Sequence, residues 1–257
     1  MHWPTMRRSL VDYGRLLDAV TLEGELLAQA ATGARGDLPV PGCPGLTVGE
    51  TVRHTGSLYR EVLGWIRQGR APQRRERGPD GDDAVAFHTT GRRELVAELA
   101  AHQPDEPCAT WYPDEQTYGF WRRRMAHDTT VHRIDVQGAL GMHIGQVEAE
   151  FAADGIDEVL LVWFGHRLAT LGMTATADGA VGIETASRGW LAVLGKVRSS
   201  ARRVPLVDAR AADAVVTGDP MAVYLWLWGR VPDRSVRISG DFDASAQLWS
   251  LLRLATQ

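Results

Sequence analysis

The chain has little cysteine, almost no lysine and no long apolar run, and each shortage removes a class of protein. Cys43 and Cys108 are its only cysteines in 257 residues. They stand far apart and form no CxxC pair, so neither a disulfide framework nor a thiolate zinc site is indicated. Lys196 is the only lysine. The arginines are scattered, and with a formal net charge of -4 there is no basic stripe to neutralise nucleic-acid phosphates. No apolar stretch reaches membrane-spanning length, and the N-terminus MHWPTMRRSLVDYG lacks the apolar segment of a secretion leader. These absences predict a soluble, cytoplasmic protein without membrane or nucleic-acid partners.

What is present is an ordinary globular composition, 44% hydrophobic and 23% charged, long enough for one full core or two modest ones. Residues 10–30 carry Leu10, Tyr13, Leu16, Leu17, Val20, Leu26 and Leu27 at helical spacing. After the turn-rich VPGCPGL (40–46), Thr47 and Glu50 have the spacing of a capping box, which opens a second helix to about Gln68. Along it His54, Leu58, Val62 and Trp65 share a face that reads as the buried one. Gly69 to Asp83 reads as a solvated loop and Thr89 to His102 as a short third helix. A fourth helix runs from Trp121 to Gly141. A fifth is expected to open at Asp154, taken as its cap.

Beyond Leu171 the texture changes to short strand-like runs at 181–184, 190–194, 212–218 and 235–240, with helices after the Asp219-Pro220 cap and over 244–254. The expectation is therefore a helical bundle domain over 1–172 and a small α+β domain over 173–257. Asp219 and Asp241 are read as caps, and Tyr224, Trp226 and Trp228 as packing residues.

The chemistry concentrates in the fourth helix. Asp128 and His132 are four apart, so they lie on one helix face and can hold a single metal ion between them. A third ligand has to come from elsewhere, and His54 is the candidate. Two imidazoles and a carboxylate leave one coordination position open, the pattern of a catalytic site. The same spacing also fits an ordinary i,i+4 ion pair beside a buried core histidine. His127 is turned about 100° away from the Asp128–His132 face. Asp135, three residues beyond His132, is placed to orient a ligand histidine from behind, or to pair with an arginine.

The string RMAHDTTVHRID (124–135) resembles the HExxVHRxD signature of mycothiol-dependent maleylpyruvate isomerase-like proteins, within the DinB-like thiol-transferase superfamily. The likeness extends to His54, to DGIDEVL (154–160) and to VVTGDPMAVYLWLWGR with VRISGDF in the second half. It implies a DinB-like four-helix bundle carrying a divalent metal, commonly zinc, followed by a small sterol-carrier-like α+β domain. The family's His, Glu, His triad carries over to His54, Asp128 and His132. Aspartate stands where the family has glutamate, and its reach is shorter by one methylene. The resemblance further implies mycothiol as cosubstrate and a small electrophile as substrate, in S-transfer or cis–trans isomerisation, by a monomer or homodimer. Two other readings remain open on the sequence: a non-catalytic binding or regulatory member, and a metal-dependent hydrolase without a thiol cosubstrate.

Overall fold

Thr47 and Glu50 form the reciprocal cap that their spacing predicts. In a computed structural model of the chain, which describes residues 9–81 and 83–256, the Thr47 hydroxyl accepts from Glu50 N and the Glu50 carboxylate accepts from Thr47 N. Most of the N-terminal stretch read for a secretion leader lies outside the described residues. The bonds of this cap are local, so the sequence alone determines where the helix starts. Thr47→Ala is expected to cost about 1 kcal/mol of stability, measurable by urea denaturation. An unchanged midpoint would mean that packing, not the cap, sets this helix start.

Contacts divide the chain into two units. The first, Val11–Gly145, consists of α1 (Tyr13–Ala31), α2 (Val48–Gln68), α3 (Asp83–Ala100) and α4 (Tyr118–Ala139). Helix α4 packs along α1 and against α2, while α3 packs against α1 and α2 on the opposite side. Two features bring α2 close to its neighbours. At Gly56 a Cβ would fall 2.7 Å from the Phe87 ring, so only glycine allows this approach to α3. Towards α4, the Tyr59 hydroxyl bonds Thr129 Oγ1 at 2.9 Å.

Three expectations shift within this unit. Helix α3 begins at Asp83 rather than Thr89, because its early buried positions are Ala84, His88 and Gly91, which give no strong apolar signal. Helix α4 begins at Tyr118, capped by Thr117. The buried face of α2 runs through Val52, Thr55, Tyr59 and Val62, leaving His54, Leu58 and Trp65 at its edge.

The second unit holds Gln146–Gln257, joined by Ser9 and Leu10. It contains α5 (Ala149–Glu158), a π-helical continuation (Val159–Arg167) and α6 (Leu168–Thr170). A five-stranded sheet of order β3-β2-β1-β4-β5 follows, from β1 (Gly179–Thr185), β2 (Arg188–Leu194), β3 (Ser200–Val204), β4 (Ala214–Thr217) and β5 (Arg237–Gly240). Only β1 and β4 run parallel. Helices α7 (Leu206–Arg210), α8 (Pro220–Leu227) and α9 (Phe242–Ala255) complete it. The fold class is thus the expected one, a helical region followed by a small α+β unit.

The division at 145/146 differs from the expected 172/173, because α5 and its continuation pack on α8, α9 and β3. Asp154 does not cap α5, which begins at Ala149; it is buried inside the helix, where its carboxylate accepts from Leu10 N and Ser9 Oγ. Asp219 and Asp241 do cap α8 and α9, through Met221 N and through Asp243 N and Ala244 N. Tyr224, Trp226 and Trp228 are buried, as packing residues should be. The strand that the sequence reading misses is β3, SARRV, a mostly exposed edge whose charges suit an edge and hide its pairing.

Candidate metal centre

His54 comes from α2, Asp128 and His132 from α4, and the interface of these two helices brings them together. The His54 and His132 rings meet edge to face with centroids 5.1 Å apart. Asp128 Oδ2 lies 3.8 Å from His132 Nε2. The i,i+4 pair is not a solvated one: the side chains of Asp128 and His132 are only 15% and 10% exposed.

The supporting groups define the direction of each ligand atom. Asp135 Oδ2 accepts from His132 Nδ1 at 3.2 Å, which leaves Nε2 facing Asp128. A carboxylate so placed can orient an imidazole from behind. Arg124 Nη2 donates to Asp128 Oδ1 at 3.2 Å. The other carboxylate oxygen, Asp128 Oδ2, is buried with no hydrogen-bond partner among the described residues. A buried, orphaned carboxylate oxygen is costly unless a cation or donor meets it.

Charge follows the same geometry. Burial pushes His54 down to about 4, assisted by positive charge on His132, so His54 is neutral at pH 7 with a lone pair to offer. Burial also works against charge on His132, but Asp128 and then Asp135 outweigh it and hold this imidazole up to about 10. Asp128 stays below the usual carboxylate range: burial opposes its ionisation, and His132 and Arg124 overcome that opposition. The cluster favours positive charge at His132, from a proton or a metal ion. The donor set of two imidazoles and a carboxylate, with one oxygen otherwise unsatisfied, therefore fits a divalent cation.

A groove of about 270 Å³ opens on His54 and is lined also by Leu46, Arg53, Ser57, Arg75 and Arg77. The larger cavity of this unit, about 1050 Å³, lies between the ends of α1, α2 and α3 and contains none of the expected ligands. It shares Glu50, Arg53 and Arg77 with the groove. Of the two, the groove is the one lined by His54.

Among the arginines of α2, Arg60 is structural: it donates to the carbonyls of Gly56 and Phe87 and lies over the Phe87 ring. Arg53 pairs with Asp80. Cys43 is what the sequence reading passed over. Its thiol donates to Asp135 Oδ2 at 3.3 Å. The only available signal was its place in the turn-rich loop just before the helix that bears His54.

Comparison with known proteins bears on this geometry. Residues 17–137 match the family described as mycothiol maleylpyruvate isomerase N-terminal domain. The matched stretch spans most of the helical unit and includes His54, Asp128 and His132. Over 90% of this chain and 95% of the other, the structure also resembles the crystal structure of the mycothiol-dependent maleylpyruvate isomerase, with TM-score 0.60 and 12% identity. A histidine-to-alanine mutant of that isomerase matches equally, with TM-score 0.60, 11% identity and the same coverage. At such identity the likeness establishes the fold. No curated protein matches the sequence. Among the described residues no helix is long and apolar enough to cross a membrane.

Proposed function

We propose that the chain is a metal-dependent enzyme that activates a low-molecular-weight thiol, mycothiol, for isomerisation of or transfer to a small electrophile. The observation that carries this reading is the convergence of His54, Asp128 and His132, with Asp128 Oδ2 buried and unsatisfied, inside a unit of the mycothiol maleylpyruvate isomerase N-terminal family. These three residues would hold a divalent ion, zinc being the natural choice for such donors. When bound, the ion holds a coordinated thiol deprotonated at neutral pH, which makes it nucleophilic.

The chain's own residues do the rest. Asp135 holds His132 in the tautomer that presents Nε2. Arg124 restrains Asp128 through its other oxygen and offsets its charge. Arg77 lines the groove beside His54 and has no ion-pair partner within 4.0 Å among the described residues, so it is placed to receive a carboxylate of the substrate. Arg53 and Arg75 in the same wall are engaged by Asp80 and Glu61.

Zinc-loaded protein supplied with mycothiol is expected to isomerise maleylpyruvate or to consume the thiol against a reactive electrophile. Asp135→Asn is expected to lower kcat/KM roughly 10- to 100-fold, the usual cost of losing an orienting partner. Turnover that needs no thiol would favour a hydrolase. Absence of any turnover, with metal bound, would favour a binding or regulatory role.

A further inference from the structure

We infer that Cys43, His132 and Asp135 form a site for a thiophilic divalent cation, on the side of His132 away from Asp128. Cys43 Sγ, a His132 ring nitrogen and an Asp135 oxygen all lie within 4.8 Å of one another. Two of the spacings are closer still: Asp135 Oδ2 is 3.3 Å from Cys43 Sγ and 3.2 Å from His132 Nδ1. Ligand bonds of about 2.0–2.3 Å put the donor atoms of a tetrahedral ion roughly 3.3–3.8 Å apart. The sulfur–nitrogen–oxygen set is thus already near the spacing of a metal site.

The donors are also correctly aimed. The Cys43 S–H and the His132 Nδ1–H both point at one oxygen, Asp135 Oδ2. One cation at that point replaces both protons, which leave to solvent, and gains a thiolate, an imidazole nitrogen and a carboxylate. Such a mixed set with sulfur prefers cadmium and other soft ions over magnesium or calcium. The loop holds Cys43 in place: Cys43 N donates to Val40 O and Leu46 N donates to Cys43 O, in a turn completed by Gly45 at φ +94°. Cys43 is half-buried rather than sealed, so a small ion can reach it.

Occupation has a consequence that rests on the proposed thiol chemistry. The ion takes Nδ1 and Asp135 Oδ2 out of the bond that orients His132, so a filled soft site inhibits the neighbouring centre.

The test is a cadmium titration of the full chain after chelator treatment, following thiolate-to-cadmium charge-transfer absorption in the ultraviolet. A band that saturates near one equivalent is expected. It should vanish in Cys43→Ser and persist in Cys108→Ser and in His54→Ala, with folding of each variant checked by circular dichroism. Wild-type protein that binds cadmium without the band overturns the inference, whatever the variants do. So does a band lost on changing Cys108 instead. Either result leaves the His54–Asp128–His132 proposal standing, because that set contains no sulfur. A Cys43-dependent band in a protein that never turns over thiol sinks the functional proposal alone.

Discussion

The zinc content of purified His54→Ala protein is expected to fall, and that of His132→Ala, which removes a donor common to both proposed sites, to vanish, when measured by elemental analysis. His54 is the cleaner of the two changes. It is neutral and sits at the edge of the buried face of α2, so its removal takes away a donor without stranding a charge. Affinity should fall by more than the roughly 10- to 100-fold associated with losing an orienting partner, since here a donor itself is lost. Removing His132 does more. Asp128 and Asp135 would then face each other across the site without the imidazole that compensates them. Breaking a buried charge pair in this way typically costs about 3–5 kcal/mol. A metal deficit in His132→Ala could therefore reflect poorer folding, and the His54 variant separates the two causes. Full metal retention in both variants would remove the proposed centre altogether.

The second large effect is expected in the α+β unit and concerns stability. Asp157 on α5 is fully buried, and its carboxylate accepts from Trp190 Nε1 at 2.9 Å, Arg203 Nε at 2.6 Å and Arg203 Nη2 at 2.7 Å. One side chain thus ties α5 to β2 and β3. Asp157→Ala leaves a buried indole N–H without this acceptor and a guanidinium without its bidentate partner. The Arg203 side chain is 36% exposed and can turn to water, so the loss should lie near the lower end of the range for broken buried pairs, about 3 kcal/mol. That corresponds to a fall in Tm of roughly 6–12 °C for a chain of this size. A loss below about 1 kcal/mol would show that hydrophobic packing alone holds α5 on the sheet.

Much of the fold was legible because its signals are local. The Thr47–Glu50 box and the caps at Asp219 and Asp241 involve residues two or three apart, and all three form as their spacing predicts. The face shared by Asp128 and His132 follows from helix geometry alone. Asp154 shows where local reasoning fails. It has the composition of a cap, but Ser9 and Leu10, distant in sequence, claim its carboxylate.

The arginines of α4 make the same point about burial. Their pattern suggests a solvated face, yet Arg122, Arg123, Arg124 and Arg133 are all buried. Arg122 donates to the carbonyl of Leu99 in the last turn of α3 and to that of His102 just beyond it, and Arg133 pairs with Glu23 on α1. Those partners belong to other elements, and no periodicity within α4 announces them.

The sequence by itself determined where α2 and α8 begin, and which carboxylate and imidazole share a helix face, because those depend on bonds and spacings within a few residues. Only the tertiary structure decided that His54 meets His132 and that Cys43 joins Asp135 beside it. Such meetings depend on how two helices and a loop pack, and packing is set by shape and volume across the whole bundle rather than by any one stretch of chain.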